Sequence, residues 1–159
     1  MLELGVGTGL NLGHYRAIDS VAAIDPDGAS LQRAMARRDG NASISLNQAR
    51  AEELPFADAS FDVVLGTLVF CTIGEPARAL SEARRVLKAG GTFRLIEHVR
   101  VENRWVAGAQ DAITPLWKQI AGGCHLNRDT LSAVQQAGFR VRGVNRHIGG
   151  MFIGIDAVN

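Results

Sequence analysis

Three glycines at alternate positions stand near the start of the chain, in Glu3-Leu4-Gly5-Val6-Gly7-Thr8-Gly9, and Asn11 follows them. Glycines this dense weaken strand and helix alike and open φ values closed to other residues. The run predicts a strand end, a tight turn where backbone meets a ligand without a Cβ in the way, and a helix start. Free N–H groups at such a start face an anion. Another apolar run, Val21-Ala22-Ala23-Ile24, ends in Asp25, 20 residues after Gly5. An acid so placed, at the end of a second strand, accepts hydrogen bonds from ribose hydroxyls in nucleotide-binding βαβ units. The spacing is G-x-G-x-G and not G-x-G-x-x-G, which argues against a pyrophosphate. Glu3, two residues ahead, also suits a ligand carrying an amine. The plain alternative is a structural glycine turn with an unrelated acid downstream.

Glu3 to Gly9 resembles the first motif of the class I S-adenosylmethionine (SAM) dependent methyltransferases, the type 11 methyltransferase domain. The resemblance implies SAM as cofactor and S-adenosylhomocysteine as product, bound by Glu3, Gly5, Val6, Gly7, Thr8, Gly9, Asn11, Asp25 and Pro26. It also implies that the loop bearing Arg50, Ala51 and Glu52 lies near adenine. Relatives carry an acid where this chain has Arg50, and arginine cannot accept a hydrogen bond, so that contact must come from elsewhere. Glu52 is either an acid behind the site or an exposed one. Thr67 and Leu68, after the fourth strand, complete the implied cofactor set. Three stretches narrow the likeness to the alkyl-thiol S-methyltransferases: Thr67-Leu68-Val69-Phe70-Cys71, Glu97-His98-Val99, and Trp117 with Gly123 to Asp129. It runs from about Met1 to Gly138, with lipid-amine and quinone methyltransferases less similar. Arg85 to Gly91 resembles the family's usual helix end, with Ala89 where proline is common.

The elements that must position these residues read as alternating strands and helices. Strands are expected at Met1–Leu4, Val21–Ile24, Ala42–Leu46, Phe61–Leu65, Thr92–Glu97, Phe139–Val144 and Met151–Val158. Helical stretches are expected at Leu10–Tyr15, at Ala29–Arg38 (Leu31, Ala34 and Met35 on one face, closed by Gly40 and Asn41), and at Pro76–Leu87, stopped by Lys88 to Gly91. Trp105–Ile120 reads as a helix broken or started at Thr114-Pro115. Thr130–Gln136 reads as one capped by Asn127 or Asp129 and stopped by Gly138. The last two strands, joined at Gly149-Gly150, make a hairpin that puts one antiparallel strand into an otherwise parallel sheet. The expected fold is α/β, Rossmann-like, with seven strands and helices on both faces, in a single domain over 1–159.

Composition limits the partners. The 159 residues carry a formal net charge of +1, which gives no electrostatic case for nucleic acid. Cys71 and Cys124 have no CxxC spacing, so neither a disulfide framework nor a metal site is expected. With no signal peptide and no membrane-length apolar run, the chain reads as cytoplasmic. Relatives carry helices ahead of the first strand that close over the site, and none precede it here. The expectation is therefore an open site, with either a homodimer across that face or a mobile Arg100–Gly123 segment.

Methyl transfer from a sulfonium needs alignment and exclusion of water more than a nucleophile on the protein. No HExxH, paired-carboxylate or Ser-His-Asp pattern stands out. His98 is a candidate base at the mouth of the fifth strand, or a strand-end histidine bonded to a backbone carbonyl. Cys71 is a candidate thiolate or a small buried hydrophobe. His125 beside Cys124 lacks further metal ligands. Trp105 and Trp117 either line an acceptor pocket or fill the core. The leading expectation is methyl transfer to a small-molecule acceptor, a thiol or sulfide. The alternatives are a SAM-binding domain that is non-catalytic or partner-dependent, an N- or O-methyltransferase, and an NAD-dependent oxidoreductase, which the glycine spacing disfavours.

Overall fold

The structure is a computed structural model that describes residues 1–38 and 43–159. Gly40, Asn41 and Ala42, expected to end a helix and open a strand, lie outside the described residues. Among the described residues, seven strands form one sheet: β1 (Leu2–Leu4), β2 (Val21–Asp25), β3 (Ile44–Gln48), β4 (Phe61–Thr67), β5 (Leu87–His98), β6 (Arg140–His147) and β7 (Phe152–Val158). Their order is β3-β2-β1-β4-β5-β7-β6. The pairings from β3 to β5 are parallel, and β7 runs antiparallel to both β5 and β6. Strand order reverses between β1 and β4, so their carboxyl ends open a crevice where ligands bind in sheets of this kind.

The helices are α1 (Gly28–Arg37), α2 (Pro76–Val86), α3 (Arg104–Ile120) and α4 (Thr130–Gln136). On one face of the sheet, Leu2, Leu4, Val64, Phe93 and Leu95 pack with Ala79, Leu80, Ala83 and Val86 of α2 and Val134 of α4. On the other face, α1 and a single 3-10 turn (Leu12–Tyr15) cover Val21, Ala23 and Ile44. This alternation follows from period-two burial on strands whose neighbours are helices. Phe93 centres the larger core, stacked on Phe139 at 4.4 Å between centroids and edge-on to Phe70 at 6.1 Å.

Several boundaries move for local reasons. Helix α2 ends at Val86, because Leu87 is already extended and pairs with Phe61. Lys88 to Gly91 therefore belong to β5 and do not form a helix stop. The register shifts there, and Asn159 donates its N–H to Gly91 O at 3.1 Å. Helix α3 runs unbroken through Pro115. Its start is capped by Asn103, which accepts from the N–H groups of Trp105 and Val106. Asp129 caps α4. Met35, expected on the apolar stripe of α1, is exposed. Among the described residues no helix is long and apolar enough to cross a membrane.

Phe93 has no exposed surface, and Phe93→Ala removes a stacked ring without a neighbour able to fill its place. The expected loss is about 3–5 kcal/mol of folding stability, read by urea unfolding. A loss below about 1 kcal/mol would show that the core repacks around it.

Candidate active site

The glycine turn leaves β1 with left-handed backbone at each of its three glycines: φ is +66° at Gly5, +53° at Gly7 and +82° at Gly9. Two of the three also lack room for a side chain. A Cβ on Gly5 would lie 2.3 Å from Val69 Cγ2, and one on Gly9 would lie 2.8 Å from Ala34 Cα. A Cβ on Gly7 would meet nothing within 4 Å. Val6 is buried and donates its N–H to Ile24 O at 2.9 Å, and Arg37 of α1 ties down Thr8 through its carbonyl (2.8 Å) and hydroxyl (2.6 Å). The helix expected after the turn is only the 3-10 turn, and Asn11 gives it no side-chain cap.

Asp25 is aimed by two backbone donors. Gly7 N–H reaches Oδ2 and Asp27 N–H reaches Oδ1, each at 2.9 Å. Each oxygen keeps a further lone pair, so the carboxylate still has acceptors for two hydroxyls. Glu3 lies beneath the turn, 1% exposed. Its Oε1 accepts from Asn11 Nδ2 at 2.8 Å, and the same amide donates to Thr67 Oγ1 at 3.3 Å. Glu3 Oε2 and the Tyr15 hydroxyl are buried side by side and interact with each other. Burial pushes the Glu3 carboxyl above its ordinary value, against the Asn11 bond. Glu3 thus holds Asn11 and Thr67 in place from below.

A cleft of about 280 Å³ opens beside the turn. Gly5, Asp25, Pro26, Arg50, Ala51 and Glu52 line it on one side, all singled out by the sequence. Val69, Thr72, Ile73, Gly74 and Gly122 close it on the other. Val69 and Thr72 belong to the stretch after β4 that the sequence places at the ligand-binding end of the sheet, whereas Ile73, Gly74 and Gly122 escaped sequence reasoning. Glu52 is buried and accepts from Arg50 Nη2 at 3.2 Å and Glu75 N–H at 3.3 Å. Burial pushes its carboxyl up, but the backbone donors and the Arg50 charge outweigh that and leave it below its ordinary value. Arg50 is therefore paired at the rim of the cleft.

The wall carrying Val69 hangs on a buried acid that the sequence marked as a strand end and as part of the Glu97-His98-Val99 stretch, without a role of its own. Glu97 is fully buried, and it accepts from Val69 N–H and Phe70 N–H at 2.9 Å each and from Cys71 N–H at 3.3 Å. Burial raises its pKa to about 7, against those bonds and the nearby Arg128 charge. Arg128 in turn donates to Phe70 O. Leu68, at the start of this loop, has φ of +54° and is exposed, with its N–H on Ile96 O at 2.8 Å. His98 stands one strand over. Its Nδ1 is buried with no hydrogen-bond partner among the described residues, its ring meets Phe152 edge-on at 5.2 Å, and burial lowers its pKa, which favours the neutral ring. Cys71 is buried, and burial pushes its thiol well up, which fits the small hydrophobe and not a thiolate. His125 faces Cys71 O, and no group of metal-ligating residues occurs among the described residues. Trp105 is exposed and Trp117 partly so, and neither fills the core.

Gly7→Ala separates ligand binding from folding. With open space at that Cβ, the expected folding cost is only about 1 kcal/mol from the φ value, whereas Gly9→Ala strikes backbone and should unfold the turn. Equal melting temperatures for the two variants would refute that contrast. Glu97 also carries a pH signature. Its folded pKa of about 7 lies above the reference 4.5, so its contribution is present in full below pH 4.5 and is lost as pH rises through 7. Wild type should therefore lose stability relative to Glu97→Gln between pH 5 and 7.5, read by urea midpoints. Parallel curves would show an ordinary carboxylate.

Comparison with known proteins bears on this geometry. The family described as "Methyltransferase domain" matches residues 2–95. The thiol S-methyltransferase TMT1B of Rattus norvegicus is 36% identical over 144 residues, 87% of this chain and 59% of that protein. Thiol S-methyltransferase TMT1A of Homo sapiens is 34% identical over the same shares. The phosphatidylethanolamine N-methyltransferase of Cereibacter sphaeroides is 34% identical over 116 residues, 71% of this chain and 57% of that protein. The chain thus spans about three fifths of the length of these curated relatives. A SAM-dependent methyltransferase structure from Mesorhizobium loti superposes with a TM-score of 0.79 over 99% of this chain and 89% of that one, at 18% identity, and shares the fold. With its glycine turn, switch-point cleft and closing antiparallel strand, the chain belongs to the methyltransferase domain family, the class I SAM-dependent methyltransferases.

Proposed function

We propose that this chain transfers a methyl group from SAM to a small-molecule acceptor, a thiol or sulfide, in a cytoplasmic, reducing compartment. The thiol assignment rests on the relatives at 34–36% identity that are thiol S-methyltransferases. The cofactor assignment rests on the cleft. Its Asp25 carboxylate is preset by two N–H groups for a pair of hydroxyls. The open backbone at Gly7 leaves space above the turn, and Ala51 and Ile73 offer apolar walls to a flat ring. SAM supplies a methyl on a sulfonium, already a good electrophile.

The chain's own residues then bind, orient and exclude water. In this reading Gly5, Val6, Gly7, Thr8 and Gly9 form the turn, Glu3 and Asn11 brace it, and Asp25 with Pro26 holds the ribose end. Arg50, Ala51 and Glu52 flank the adenine end, while Thr67 and Leu68 lead toward the acceptor. His98 takes the acceptor proton. A thiol near pKa 8.5 is a few per cent ionised at pH 7 without help, so the base matters most where thiolate is scarce. The two free cysteines suit a reducing compartment.

Incubation with SAM and a simple alkyl thiol, read as S-adenosylhomocysteine formed, tests the reaction. The rate should rise with pH toward the thiol pKa, and His98→Gln should lose most activity at the acid end. Turnover of amines or phenols but not thiols would reject the acceptor. Binding of SAM without any product would reject catalysis by this chain alone. For the cofactor site, Asp25→Ala should weaken S-adenosylhomocysteine by about 1–3 kcal/mol in calorimetry, and an unchanged affinity would remove Asp25 from it. Arg50→Asp sets a carboxylate beside buried Glu52 and strips its partner. Affinity should therefore fall in the single variant and recover in Arg50→Asp/Glu52→Gln, and a double variant no better than the single would refute the pairing.

A further inference from the structure

Helix α3 docks by a narrow side. Ala107, Gln110 and Thr114 are its buried residues, and the Gln110 side chain bonds Val101 N–H, Val99 O and Leu126 O at 2.9–3.1 Å. At 3.6 residues per turn, the opposite side carries Trp105, Ala109, Ala112, Ile113, Leu116 and Ile120, with Val106 and Trp117 on its edge. All of these are exposed: Trp105 by 76%, Leu116 by 65% and Ile120 by 73%. The charged residues Arg104, Asp111 and Lys118 share a flank, and apart from the Arg104 guanidinium, 4.8 Å over the Trp105 ring, they leave the arc uncharged. Asp111 is already engaged by Arg100 and Asn127 at 2.9 Å each.

We propose that this face pairs antiparallel with the same face of a second copy of the chain. The large side chains expose on the order of 700 Å² together. That exceeds the roughly 300–600 Å² patch usual on a monomer and approaches the roughly 800 Å² per partner of a stable interface. The arc is also self-complementary. A two-fold axis between Ala112 and Ile113 sets Trp105 against the partner's Ile120, Ala109 against the partner's Leu116, and Ala112 against the partner's Ile113. Small faces large at both inner positions, which lets the helices approach closely, as an isologous contact requires. Antiparallel axes oppose the helix dipoles and bring Arg104 near the carbonyl end of the partner's α3. The chain turns from α3 at Gly122 into the cofactor cleft, and His125 N–H meets Cys71 O at 2.8 Å. Pairing would therefore steady the cleft's outer wall. The inference concerns a surface and stands apart from the methyl-transfer reading.

Light scattering on size-exclusion eluate tests it directly. Wild type at about 100 μM should run at twice the 17.0 kDa chain mass. Ile113→Glu and Leu116→Glu change exposed positions and should run as folded monomers, with circular dichroism unchanged and dimer dissociation raised by about a hundredfold or more. Ala112→Cys should form a covalent dimer on mild oxidation, whereas the wild type, with Cys71 and Cys124 alone, should not. A monomeric wild type overturns the proposal, as does a dimer that survives both Glu variants. A monomer whose α3 face binds anionic phospholipid vesicles, and loses them on Leu116→Glu, would also overturn it by giving the face to a lipid surface.

Discussion

Much of the cleft depends on one buried carboxylate. Glu97 sits at the end of β5 with no exposed surface and accepts three successive N–H groups from residues 69–71. A turn leaving a strand at the switch point would otherwise bury three orphan donors, each expensive to desolvate. The acid satisfies them, and Arg128 offsets part of its charge while bonding Phe70 O. Fixing those amides fixes Val69, and Val69 fills the space that a side chain at Gly5 would need. The glycine turn and the loop after β4 are thus two halves of one packing solution. The requirement for glycine at position 5 comes from across the crevice as much as from its own φ.

Asp25 and Glu52 show how the opposite wall is preset. Asp25 is aimed by backbone donors on either side, and Glu52 is held by Glu75 N–H and Arg50. Polar groups fixed before a ligand arrives lose little freedom on binding. Position 50 carries a cation where the resemblance led to an acid being expected, and Glu52, two residues on, pairs with it within the same loop. Helix α3 behaves differently. It is tethered through Gln110 and Asp111 and leaves its apolar face outward, so its surroundings are set by whatever packs against it.

Much of the fold was legible in sequence, because its elements have strong local signals. The continuous apolar run of β4, the 3.6-residue stripe on α2, the cap Asp129 and the glycine turn each state their own conformation. The errors fell where a distant partner overrules local preference. Leu87 continues the stripe of α2 but pairs with Phe61 instead, and Lys88 to Gly91 join a strand because β4 and Asn159 bond them. Pro115 suggests a break, yet α3 continues through it.

The sequence by itself determined the residue types of the turn and its flank: glycines free to take a positive φ, an acid 20 residues on, and strands short and apolar enough to be buried on both sides. Spacing along one chain suffices for that, since the turn and its acid lie in adjacent strands. Only the tertiary structure decided which of these residues face the cleft. Glu3 and Val6, read as ligand contacts, are buried beneath and behind the turn, whereas Val69, Ile73 and Gly122 line the wall. It also decided that Glu97 is a hub and that the tryptophans of α3 face outward. These properties depend on which side of an element its neighbours cover, and they arise from contacts dozens of residues apart, such as Glu97 with Val69. No local pattern encodes them.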